Sequence, residues 1–94
     1  MFIVTRFNPR NGDTGLVGET QDGESLHGLM AEEYVGPHIT QDIGDAFGVF
    51  ESDFFYCFWK MELVSDSGIY HRVNMKTIQG NRYEIKKFID EELS

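Results

Sequence analysis

The side chains able to do covalent or metal chemistry are few: one cysteine, Cys57, and three histidines, His27, His38 and His71. A reactive thiolate needs an accessible, electropositive setting, and Cys57 sits between Tyr56 and Phe58, which suits a small buried hydrophobe better than a nucleophile. The histidines fall on a predicted helix, a loop and a strand, with no metal-type spacing to Cys or to each other. His27 precedes Glu32 and Glu33 by five and six residues, not the four that a helical metal pair requires. Asn11-Gly12-Asp13-Thr14-Gly15 lacks the alternating oxygen ligands and terminal Glu of a calcium loop and reads as a hairpin turn. Ser25 and Ser52 have no adjacent base, and Gly12, Gly15 and Gly18 lead into no helix with a lysine. The expectation is a protein that is not an enzyme and holds no metal or cofactor.

Carboxylates are the one abundant reactive group: 16 acids against 8 bases, a net charge of −8. Their distribution is one-sided. Between Asn11 and Trp59 there is no Lys or Arg, while ten acids occur: Asp13, Glu19, Asp22, Glu24, Glu32, Glu33, Asp42, Asp45, Glu51 and Asp53. Soluble domains normally intersperse the two signs. A block of one sign makes a directed field that steers a cationic partner and repels nucleic acid. These ten residues are the expected partner-binding set. The bland alternative is the mild acidity that many proteins carry for no specific purpose.

The elements that must position these acids read as follows. Phe2 to Phe7 and Thr14 to Thr20 form a hairpin around the turn formers Asn8 to Asp13. Asp22 caps a helix from about Gly23 to Tyr34, with Leu26, Leu29, Met30 and Tyr34 as its apolar stripe. Gly36-Pro37 stops it, and Thr40 caps a shorter helix carrying Ile43, Phe47 and Phe50, weakened by Gly44 and Gly48. Phe54 to Val64 and Ile69 to Ile78 form a second hairpin around Ser65-Asp66-Ser67-Gly68. Asn81 with Glu84 opens a last helix over Tyr83 to Leu93. The order is ββααββα: an α+β, two-layer single domain over residues 1–94, with an antiparallel sheet of two hairpins and two to three helices.

Acids end both outer helices, Glu32 and Glu33 on the first and Asp90, Glu91 and Glu92 on the last. A helix C-terminus carries partial negative charge, so each such acid costs about 0.3–1 kcal/mol unless something compensates. The central strand carries a second signal, because both its faces are apolar: Phe54, Tyr56 and Phe58 alternate with Phe55, Cys57 and Trp59. Helices on one face bury one set. The other needs a further helix or a second subunit, and Phe54, Tyr56 and Phe58 are the candidate homodimer interface.

The composition bounds the function. Excess negative charge excludes direct binding to nucleic acid or anionic membrane, which needs Lys and Arg. The longest apolar run, Phe54 to Trp59, is too short to span a bilayer, and the run after Met1 lacks the pattern of a signal peptide. A single cysteine leaves no internal disulfide. A cytoplasmic location is expected.

Size, charge and organisation across the whole chain, including the opening Phe2-Ile3-Val4-Thr5-Arg6-Phe7-Asn8-Pro9 hairpin, resemble the Arn-like phage anti-restriction DNA-mimic family. The resemblance implies an inhibitor acting in the host cytoplasm, which occupies the basic DNA site of a nuclease or other DNA-binding protein as a dimer. With six basic residues in the last 35, the mimicry would use one face and not the whole surface. The alternative is a small acidic protein–protein interaction adaptor with no DNA mimicry.

Overall fold

The fold is that of a computed structural model, which describes residues 1–36, 38–39, 52–64, 66 and 68–93. Strands β1 (Phe2–Phe7) and β2 (Thr14–Thr20) are followed by helix α1 (Leu26–Val35), strands β3 (Phe55–Val64) and β4 (Ile69–Gln79), helix α2 (Arg82–Phe88) and a π-helical segment, Ile89–Leu93. The strands make one antiparallel sheet in the order β2-β1-β3-β4. Among the described residues the expected order ββααββα is therefore corrected to ββαββα, with two helices and a π-helical continuation. The expected helix at Thr40, with Ile43, Phe47 and Phe50, lies outside the described residues.

Local chemistry explains where the elements start and stop. β1 and β2 turn through Asn8–Asp13, where the Asn8 and Asn11 side chains accept from the backbone of Arg10 and Asp13 and Gly12 takes φ +77°. α1 begins three residues later than expected. Asp22 still acts at this point, but its carboxylate accepts from Ser25 N at 2.8 Å and holds a turn ahead of the helix. Gly23 in that turn is buried against the end of the chain: a Cβ there would lie 1.7 Å from the Leu93 carbonyl oxygen. Asn81 caps α2 as expected, its side chain accepting from Glu84 N. Past Phe88 the ladder widens into the π-helical segment.

One side of the sheet is closed by helices. Val4, Tyr56, Phe58 and Ile78 pack with Leu26, Met30 and Tyr34 of α1 and with Ile85, Phe88 and Ile89. Tyr56 and Phe58, at 0% and 1% exposure, are among the most deeply buried residues in the chain. They are thus core residues and cannot be the dimer surface expected of Phe54, Tyr56 and Phe58. Phe54 is half-buried, packed edge-on to His38 with ring centroids 4.3 Å apart. Strand alternation is the reason: this set points to the face that α1 and α2 cover. Among the described residues no helix is long and apolar enough to cross a membrane.

Candidate partner-binding face

α1, β2 and the turns at the two ends of β2 carry six of the seven expected binding acids among the described residues, and two contacts seat the helix on the sheet. Gly18 of β2, at φ +158°, lets the helix approach closely: a Cβ there would be 2.4 Å from Leu29 Cδ1. The second contact is polar. Arg6 Nη1 on β1 donates to Glu33 Oε1 at 2.6 Å, and the Tyr56 hydroxyl on β3 donates to Glu33 Oε2 at 2.5 Å. Glu33 thus faces the sheet, 16% exposed, and is spent inside the protein. Burial and the Glu33 carboxylate raise the Tyr56 phenol well above its ordinary value, so it stays a hydrogen-bond donor. Burial lowers the Arg6 guanidinium, but Glu33 and Tyr56 together outweigh it and the net shift is upward.

The ten expected binding residues therefore separate into groups. Asp13, Glu19, Asp22, Glu24 and Glu32 are exposed, on β2, on the turns at its two ends, and on the outer side of α1. None of the five forms an ion pair among the described residues. Asp22 is held below its usual carboxylate range, first by the backbone N–H of Ser25. Glu33 is turned inward, a correction to its expected place in the partner-binding set. Asp53 is exposed and lies 3.3 Å from Arg10. Asp42, Asp45 and Glu51 lie outside the described residues.

Both bases of the N-terminal hairpin, Arg6 and Arg10, are thus occupied by acids. The five outward acids belong to the β2 edge of the sheet and to α1. The other bases, Lys60, Arg72, Lys76, Arg82, Lys86 and Lys87, lie on β3, β4 and α2. Sheet order keeps the β4 bases away from β2, because β2 and β4 are opposite edges with β1 and β3 between them. The α2 bases, in contrast, reach the end of α1: Arg82 Nη2 donates to the Tyr34 carbonyl at 2.6 Å and Lys86 Nζ lies 5.1 Å from the Tyr34 ring centroid. Around α2 the signs alternate: Arg82, Lys86 and Lys87 line a depression of about 330 Å³ together with Asp90 and Glu91. That region has no dominant sign, whereas the β2–α1 side is acidic.

The acids that break the helix-end rule are accounted for in part. Arg6 offsets Glu33, and His27 Nε2 lies 2.7 Å from Asp90 Oδ1, tying α1 to the π-helical segment. Glu32, Glu91 and Glu92 are exposed, where water weakens the penalty.

The alternate set of β3, Phe55, Cys57 and Trp59, lies on the other face of the sheet. Cross-strand register puts Glu19, Ile3 and Trp59 on one row, Leu16, Thr5 and Cys57 on the next, and Phe7 with Phe55 on a third. Phe7 and Phe55 stack with centroids 5.5 Å apart, and Trp59 Nε1 donates to Thr5 Oγ1 at 2.8 Å. Arg72 reaches back over Trp59, its guanidinium carbon 4.9 Å from the ring centroid. Cys57 is buried in this row beside Thr77, 3.5 Å from its hydroxyl. Among the described residues no helix covers this face. Alternation along Phe55–Trp59 was the available signal, and only the position of the helices says which set is left over. Compared with known proteins, the chain matches no family, no curated protein and no solved structure.

Proposed function

We propose that the chain is an acidic DNA-mimic protein that inhibits a DNA-binding protein or nuclease by occupying its basic DNA site. The observation that carries this reading is the acidic β2–α1 side, where Asp13, Glu19, Asp22, Glu24 and Glu32 have no ion pair among the described residues. A DNA-binding cleft is built to receive a row of phosphates, spaced about 1.7 Å apart along the duplex axis. Carboxylates held on a strand edge and a helix supply a sparser row of the same sign on a rigid support. Long-range attraction between such surfaces is screened beyond roughly 8 Å at physiological salt, so the complex should weaken as salt rises, mainly through slower association.

The adaptor reading keeps the same acidic face and drops the mimicry. It is favoured by one observation: Glu33 and Asp53, two of the ten acids, are engaged by Arg6 and Arg10, which thins the charge row. One experiment separates the two readings. The protein is used to capture partners from a bacterial lysate, and duplex DNA is then titrated against the captured complex. Displacement by DNA supports mimicry. A partner without a basic cleft, or one that binds DNA and this protein together, rejects mimicry and leaves the adaptor.

A further inference from the structure

The sheet has one face closed by α1 and α2 and one that no described helix covers. The uncovered face is apolar in its middle: Ile3 and Phe7 from β1, Phe55 and Trp59 from β3, and Leu16 from β2, the last 68% exposed. A sheet needs a second layer on each apolar face, and a second sheet packed about 10 Å away is a standard one. Among the strand residues of this face two are charged, and they lie at opposite edges. Glu19 sits on edge strand β2, on the row of Ile3 and Trp59. Arg72 sits on edge strand β4, and its guanidinium returns to that same row over Trp59. Neither forms an ion pair among the described residues.

We propose that this face takes a second copy of the chain, sheet on sheet, around a two-fold axis parallel to the strands. The charge pattern selects both the occupant and the axis. Rotation about an axis along the strands exchanges the two edges, so β2 of one copy lies over β4 of its partner. Glu19 then faces the partner's Arg72, and the pair repeats on the far side by symmetry. The apolar rows meet between the two ion pairs. A two-fold across the strands would instead place β2 over β2 and β4 over β4, so that no Glu19 meets an Arg72 and each edge faces its own sign. Both copies use the same patch, so the assembly closes as a dimer. The dimer spends Glu19, one of the five outward acids, and leaves Asp13, Asp22, Glu24 and Glu32 to the DNA-mimic reading, on which the proposal does not otherwise rest.

Sedimentation equilibrium of the full chain over about 1–100 µM tests it, the range in which a modest interface is populated. The expected species has twice the 10.8 kDa mass of one chain. Leu16→Asp should weaken the dimer at least tenfold while leaving the far-ultraviolet circular dichroism unchanged, because Leu16 is exposed within one copy. Glu19→Arg and Arg72→Glu should each weaken it about threefold or more, and the two together should recover most of the loss, as expected for a pair that meets across an interface. A 10.8 kDa species throughout the range overturns the proposal. So does a dimer indifferent to Leu16→Asp, or a double reversal no better than the worse single one.

Discussion

The two faces of the sheet have the same kind of residue and opposite fates. On the covered face, Val4, Tyr56, Phe58 and Ile78 are buried under α1, α2 and the π-helical segment, and even a charged pair, Arg6 with Glu33, is drawn in and satisfied. On the uncovered face, Phe7, Phe55 and Trp59 remain half-buried and Leu16 stands in solvent. The same division runs through α1, where Glu33 points to the sheet and its neighbour Glu32 points away. Neither the apolar content of a strand nor the acidity of a helix says what a residue does. The side it faces decides that.

The largest effect expected from this division is in the core. Phe58→Ala removes a residue that is 1% exposed and packed edge-on against Phe88, with centroids 5.3 Å apart, and should cost about 3–5 kcal/mol by urea denaturation. Leu16→Ala, on the open face, should stay within about 0.5 kcal/mol in the monomer. Similar losses from the two would remove the distinction between the faces.

Next come the neighbouring carboxylates. Glu33→Ala strands Arg6 and the Tyr56 hydroxyl in a half-buried site. A fully buried pair broken in this way costs 3–5 kcal/mol, and partial exposure of Arg6 and Glu33 reduces that to about 2 kcal/mol. Glu32→Ala should change stability by less than about 0.5 kcal/mol. Equal urea midpoints for the two variants would mean that the Arg6–Glu33–Tyr56 cluster does not hold α1 to the sheet.

A smaller effect is readable in pH. Burial, with the Asp90 carboxylate adding to it, pushes the Tyr34 phenol up to about 12 from its usual 10. The folded protein therefore holds this proton more tightly than the unfolded chain. That contribution is fully present below pH 10 and is lost as pH rises towards about 12. Tyr56 is shifted in the same direction and adds to the loss. Stability measured at about pH 9 and about pH 11.5 should fall between the two, and Tyr34→Phe should reduce the fall. The substitution should itself be tolerated at neutral pH, because the Tyr34 hydroxyl is buried without a hydrogen-bond partner among the described residues. An undiminished alkaline loss in Tyr34→Phe would assign the effect elsewhere. The smallest effect is at Arg10 and Asp53, both largely exposed, where a double-mutant cycle should give a coupling below about 0.5 kcal/mol.

The sequence disclosed the strands well and the use of their faces poorly. Alternation and turn chemistry located β1, β2, β3 and β4 to within a residue at either end. Asn81 with Glu84 located the start of α2, because a cap is a local bond between near neighbours. Asp22 was legible as a helix-start residue, but it supports a turn and leaves α1 to begin at Leu26. Among the described residues the order is ββαββα and not ββααββα. The candidate face was legible only as a charge distribution. That Glu33 is spent on Arg6, 27 residues away, depends on β1 lying beside β3 under α1, a long-range pairing that no local pattern encodes. The assignment of Tyr56 and Phe58 to a surface failed for the same reason: period two separates two apolar sets, and only the placement of the helices decides which is inside.

The central claim is that the outward acids of the β2–α1 side, and not acidity in general, meet a basic partner. Association and dissociation rates with the partner captured from the lysate should be measured at low and physiological salt for two charge-matched variants. Glu24→Lys with Glu32→Lys alters the acidic side, and Glu91→Lys with Glu92→Lys alters the π-helical segment by the same net charge. The account predicts that the first variant binds at least about tenfold more weakly, chiefly through slower association, with most of its salt dependence lost, and that the second stays within about twofold of the parent. Equal weakening by both variants would contradict it, because net charge alone would then explain the binding.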